Sequence, residues 1–447
     1  MQKIESPVVD LVDEVMSGRV SRRSLMKRAA ALGLAAPVVA GLLRIQGAAA
    51  QDATPGAGAS GKVEIFSWWT SGGEAAGLDQ LFQAFKAANA GVEIVNAAVA
   101  GGGGNNAQAV LQSRLSANNP PDAWQTHLGH ELYDQYVDPG YASDISAWYA
   151  SEGWSAVMPK GIIDQISKDG KQYALPVGVH RGNGLWYNKK VLSDNAITVG
   201  DTLSIDDLLK ALDALKAKGI QGLGLGDKDA FVAPQTFENT LLGAVGPDNY
   251  LKLFSGDIKW DDATVKAAMT TFGKLLDYIN ADHSGLTWDG ATGELIDGKV
   301  AFNTMGDWAY GEFVKKNVVD NIGWVSFPGS DNAFVLVVDC FATSPKSPNP
   351  AGAQAWFSVL GSKSGQEAFN PLKGSIPART DVDKTKFSVY HQWSMASFAS
   401  ATLVPSCAHG EAAAPAFKQS FYDAATAFVT SKDVDAFASA LVDAANS

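Results

Sequence analysis

Between Val63 and Thr126 the chain alternates strand and helix patterns, and this alternation constrains its fold more than any other feature. Val63–Ser67 is a short apolar run that ends in Trp68-Trp69-Thr70-Ser71-Gly72-Gly73-Glu74, so it reads as a buried strand entering a glycine turn. Leu78, Leu81, Phe82 and Phe85 then recur at helical spacing across 77–89. Residues 92–98 read as a second strand, 105–117 as a second helix after the Gly101–Gly104 turn, and 123–126 as a third strand after Pro120-Pro121-Asp122. This succession predicts an α/β fold whose open sheet has a parallel core. Ligands of such sheets sit off the carboxyl ends of the strands. Trp68, Trp69, Gln125 and His127 all fall at or just after strand ends, so they are predicted to converge on one edge.

The alternation continues. Residues 173–179 read as extended with Pro176 inside, 185–188 as a strand, and 204–217 as a helix capped by Ser204 with Asp206 and Asp207 in its first turn. Residues 262–278 read as a long helix and 299–303 as a strand, with Met305-Gly306-Asp307-Trp308 opening the next helix. Strands are predicted at 323–327 and 333–342, and helices at 350–360, at 365–371 and from 413 to the end.

The first fifty residues read as an export signal. Ser21-Arg22-Arg23-Ser24-Leu25-Met26-Lys27 is a twin-arginine pattern, Ala29 to Leu43 is apolar, and Ala48-Ala49-Ala50 offers a cleavage site. The apolar run is shorter than the ~20 residues a spanning helix needs. Residues 51–61 read as a flexible linker. The remaining ~400 residues exceed the size at which one core stops growing, so two domains are expected. The chain carries a net charge of −12, which argues against nucleic acid or an anionic membrane as partner. Twelve tryptophans suit a cleft lined with aromatics as well as a core. Two cysteines, Cys340 and Cys407, favour one disulfide in an exported chain over two buried thiols.

An aromatic face beside a fixed acceptor suits a ligand that is apolar on its ring face and polar round its rim, as a sugar is. Alternation along a strand allows one of Trp68 and Trp69 to be core and the other cleft, while the glycine turn allows both to be exposed. Glu74 is either a ligand acceptor or a helix-start carboxylate. Gly101–Gly104 lacks the Gly-Lys-Ser/Thr of a phosphate loop. His127-Leu128-Gly129-His130-Glu131 departs from the zinc-protease pattern in spacing and in carrying Gly129, so no metal site is expected. No Gly-x-Ser-x-Gly or dinucleotide fingerprint is present, and neither catalytic residues nor a cofactor are predicted.

Three further segments carry a family resemblance. Tyr173-Ala174-Leu175-Pro176-Val177-Gly178-Val179 with Leu185-Trp186-Tyr187-Asn188-Lys189, then Gly298-Lys299-Val300-Ala301-Phe302-Asn303-Thr304-Met305-Gly306-Asp307-Trp308, then Asn370-Pro371-Leu372-Lys373-Gly374-Ser375-Ile376-Pro377-Ala378-Arg379 resemble extracellular solute-binding protein family 1 in order and spacing. These are the sugar-binding subunits of ATP-binding-cassette transporters. The segments at Trp68–Glu74, Val99–Gly104 and Val179-His180-Arg181 are most similar to its glucose-binding branch. The resemblance implies two α/β lobes of the periplasmic-binding-protein kind, each a mostly parallel sheet flanked by helices and joined by several crossings. Lobe one is expected at 62–177 plus 330–371, and lobe two at 178–329 plus 372–447. It implies an extracytoplasmic, monomeric receptor that captures a monosaccharide (glucose or a close epimer) and delivers it to the permease subunits of an ABC importer. By motif position the implied contacts are Trp68, Trp69, Glu74, Gln125, His127, Trp288, Asp307, Trp308, Asp339, Lys373 and His409. Cys340 follows Asp339 and Cys407 lies two before His409, so the expected disulfide would hold both ligand residues in place. The competing expectation is a secreted enzyme, a glycosidase or a cofactor oxidoreductase.

Overall fold

The computed structural model describes residues 61–101 and 104–447. The predicted export signal, its cleavage site and nearly all of the linker lie outside the described residues. No helix among the described residues is long and apolar enough to cross a membrane.

The first elements are β1 (Lys62–Phe66), α1 (Gly72–Ala88), β2 (Glu93–Asn96), α2 (Asn105–Ser116) and β3 (Ala123–His127). Then come β4 (Leu175–Arg181), β5 (Gly184–Asn188), β6 (Gln221–Gly224), α3 (Val232–Val245), α4 (Trp288–Ile296), β7 (Val300–Thr304), α5 (Ala309–Lys315) and β8 (Ile322–Ser326). The chain returns through β9 (Ala333–Ala342), α6 (Lys363–Lys373), β10 (Ile376–Pro377), α7 (Val389–Ser400) and β11 (Thr402–Pro405). Among the described residues a seven-stranded sheet runs β10-β4-β9-β3-β1-β2 with β11 also on β9, and a four-stranded sheet runs β8-β5-β7-β6.

The parallel core expected from the opening alternation is present: β1 pairs in parallel with both β2 and β3. The helix capped by Ser204 is also present, with Ser204 Oγ accepting from Asp207 N–H at 3.1 Å. Pro371 falls inside α6, whose pattern runs on to Lys373.

The strand that ties the molecule together is β9, ten residues long and buried throughout. Side chains alternate along a strand. Phe334, Leu336, Val338 and Cys340 therefore enter the core of the first lobe, while Ala333, Val335 and Val337 enter that of the second. β4 runs antiparallel beside β9, and their register shifts between Asp339 and Cys340 so that Val177 is passed over. Pro176 lies at this bulge, where a missing N–H is least costly.

This alternation removes the expected disulfide. Cys340 faces the first core and Cys407 the second, and both are buried free thiols. The segment around Cys407 is held instead by Glu238, which accepts from Cys407 N–H at 2.5 Å and from Ser406 Oγ at 2.8 Å.

One helix had no visible pattern. α3 is buried on every side from Val232 to Leu242, so it carries no polar stripe and no helical period.

Candidate binding cleft

A cavity of about 630 Å³ lies where the two lobes meet. Its first wall starts at the end of β1. Trp68 N–H donates to Gln125 Oε1 at 3.1 Å, and Gln125 Nε2 donates to Asp339 Oδ1 at 2.8 Å. The tryptophan turn, β3 and β9 are thereby locked into one frame. Gly104 has φ +101°, and a Cβ there would lie 3.0 Å from the Trp68 ring, so only glycine lets this turn lie against the indole. The opposite wall carries Trp288 at the start of α4, whose backbone N–H donates to Asp229 Oδ2 at 2.9 Å. Trp308 completes it, its ring 5.5 Å from that of His180 and 5.0 Å from that of His409.

The floor is a buried charge cluster. Asp339 Oδ2 accepts from His180 Nε2 at 3.1 Å and lies 3.6 Å from Lys373 Nζ, while His127 Nε2 is 3.9 Å from Oδ1. Burial opposes ionisation of Asp339, but the Lys373 ammonium and the hydrogen bond from His180 outweigh it and hold the carboxyl well below the usual range. Lys373 Nζ also donates to Glu74 Oε1 at 2.8 Å. Burial works against the Lys373 ammonium, yet Glu74 and Asp339 raise its pKa above the ordinary value. His180 is gripped at both ring nitrogens, Nδ1 by Asp307 and Nε2 by Asp339. Burial and Lys373 pull its pKa down, and the two carboxylates overcome them and raise it.

Two histidines of the lining face each other. The His127 and His409 rings are 5.7 Å apart and nearly perpendicular. His127 Nδ1 meets Glu131 Oε2 at 2.9 Å, and His409 Nδ1 meets Ser406 Oγ at 3.0 Å. Burial drives the His409 pKa far below its usual value, which keeps that ring neutral.

Of the residues implied by motif position, Trp68, Glu74, His127, Trp288, Trp308, Asp339, Lys373 and His409 line the cavity. Three stand behind the lining. Trp69 points the other way along the chain, 1% exposed, against Phe341 and Phe369 in the first core. Gln125 braces Trp68 and Asp339, as above. Asp307 braces His180 and also accepts from Arg181 N–H and Tyr390 OH, each at 3.1 Å. The sequence reading missed His180, Asp229 and Phe231, which line the cavity too. A histidine inside the apolar run of β4 was a visible signal for the first. Asp229 and Phe231 sit in a loop with no recognisable pattern.

The sequence profile of the bacterial extracellular solute-binding proteins matches residues 80–395. The chain belongs to that family. Among its relatives this solute-binding protein is 34% identical over 385 residues to the uncharacterized ABC transporter extracellular-binding protein PH1214 of Pyrococcus horikoshii, covering 86% of this chain and 87% of that protein. It is 36% identical over 392 residues to a "probable sugar-binding periplasmic protein" of Rhizobium meliloti, covering 85% and 92%. Its fold is similar to that of the bacterial solute receptor AcbH, described as having an exclusive preference for β-D-galactopyranose (TM-score 0.77, 16% identity, 87% of this chain and 98% of that one).

Proposed function

We propose that this solute-binding protein is the extracytoplasmic receptor of an ABC importer and that it captures a neutral monosaccharide, glucose or a close epimer, in the interlobe cavity. The observation that carries the reading is Asp339. It is a buried, ionised acceptor on the floor of a cavity whose walls bear Trp68 on one side and Trp288 and Trp308 on the other. A carboxylate makes charge-assisted hydrogen bonds to hydroxyls, and indole faces cover the C–H face of a sugar ring. Lining residues come from both lobes, so a bound ligand favours the closed arrangement through contacts that the open one lacks. A closed, loaded monomer is the form offered to the permease. The relatives' names and the predicted twin-arginine leader support export.

The enzyme reading is the weaker one. Lys373 bridges Glu74 and Asp339, so neither carboxyl stands free as the acid or base that glycoside hydrolysis requires. Titration calorimetry of the chain from Gln51 against glucose, galactose, mannose, xylose and maltose, with product analysis of the same samples, tests both. Tight binding of one monosaccharide without turnover supports the receptor. Turnover overturns it in favour of the enzyme, and no binding to any of the five refutes the sugar assignment.

A further inference from the structure

Glu131 is fully buried, outside the cavity, and grips one residue of the cavity wall twice. Its Oε1 accepts from the His127 backbone N–H at 2.9 Å, and its Oε2 meets His127 Nδ1 at 2.9 Å. Thr126 Oγ1 donates to Oε1 at 3.2 Å and Gln108 Nε2 to Oε2 at 2.9 Å. Both carboxylate oxygens are therefore occupied by donors. Burial opposes its ionisation, but contact with His127 overcomes this and brings its pKa down to about 2. A carboxylate has no proton to give, so the hydrogen bond to His127 runs one way, from Nδ1–H to Oε2. That leaves Nε2 as the ring atom turned toward Asp339 and the cavity.

The same turn reaches the other histidine. Glu131 N–H donates to Gly410 O at 2.8 Å and His130 N–H to Glu411 O at 3.3 Å, which ties the turn to the segment bearing His409.

We infer that Glu131 is a positioning residue of the binding cleft, fixing the proton of His127 on Nδ1 and joining the two facing histidines into one rigid unit. The inference rests on the sugar-receptor reading for its ligand, and on the two Glu131–His127 contacts and the ionised carboxylate for its ring chemistry. A glutamine at this position has a defined consequence. The His127 backbone N–H requires an acceptor, so the amide oxygen takes the Oε1 place and the NH₂ group faces Nδ1. The hydrogen bond then reverses and the ring proton moves to Nε2.

The test is nitrogen NMR of the histidine rings in the wild-type chain, with His127 assigned by a His127→Ala variant, followed by Glu131→Gln. Protonated Nδ1 at His127 in the wild type is the expected result, and an unprotonated Nδ1 overturns the inference without need of a variant. In Glu131→Gln the proton is expected on Nε2, with sugar affinity lowered tenfold or more. A folded Glu131→Gln protein with unchanged affinity and unchanged ring signals also overturns it. If Glu131→Gln does not fold, the wild-type ring signals decide. If the wild type binds no sugar, the receptor reading fails, while the ring signals still decide whether Glu131 orients His127.

Discussion

His180 donates from Nε2 to Asp339 Oδ2 at 3.1 Å, while its other ring nitrogen is held by Asp307, so one buried ring links β4, β9 and the start of α5. Its pKa is raised above the usual 6.5. A raised histidine stabilises the fold fully below its unfolded value and loses that contribution as pH rises through the folded value. The chain should therefore lose stability as pH rises above ~6.5. His180→Gln should flatten that part of the curve. Urea midpoints across the neutral-to-alkaline range check this, and an unchanged slope in the variant would contradict it. Asp339 and Glu131 act oppositely: both are depressed, so their contribution is present above the unfolded carboxylate range and lost as pH falls through the folded values.

Lys373 should matter for stability as well as binding. Lys373→Met leaves Glu74 and Asp339 buried without their shared cation. Removing one partner of a buried pair typically costs about 3–5 kcal/mol. Chemical denaturation near neutral pH should show a loss of that order, and a loss under about 1 kcal/mol would mean that water already compensates these charges.

The tryptophan pair should divide by role. Trp68→Ala should weaken sugar binding at least tenfold with the fold intact. Trp69→Ala should instead destabilise the first core by about 3–5 kcal/mol, the usual range for a buried Trp→Ala change. Paired calorimetry and thermal unfolding separate the two, and equal effects on binding and stability would contradict the assignment.

These contrasts show where the sequence was legible. The strand-helix alternation, the turn after β1 and the placing of Asp339 in an apolar strand were readable because local periodicity carries them. Which of Trp68 and Trp69 faces the cavity was not, because alternation gives opposite faces without saying which is which. The cysteines failed for the same reason on a larger scale: adjacency to Asp339 and His409 in sequence says nothing of which face of β9 Cys340 takes. α3 was invisible because burial on all sides erases the helical stripe. Motif position names Gln125 and Asp307 as contacts, yet they stand behind the lining, and that bracing role appears only once partners distant in sequence are in place.

The free thiols give a direct chemical check. Burial pushes both Cys340 and Cys407 well above the usual thiol range, so neither should react while folded. Thiol titration without reductant should find none in the native protein and two per chain in denaturant. Two protected sulfurs in denaturant would mean a disulfide after all.

In the proposed receptor, Asp339 is the ionised acceptor for a sugar hydroxyl. Asp339→Asn keeps the shape but removes the charge. Calorimetric titration of wild type and Asp339→Asn with whichever monosaccharide binds tightest checks this role. The predicted result is a loss of at least tenfold in affinity, about 1.4 kcal/mol, with the variant still folded. Equal affinity in the two proteins would contradict that role for Asp339.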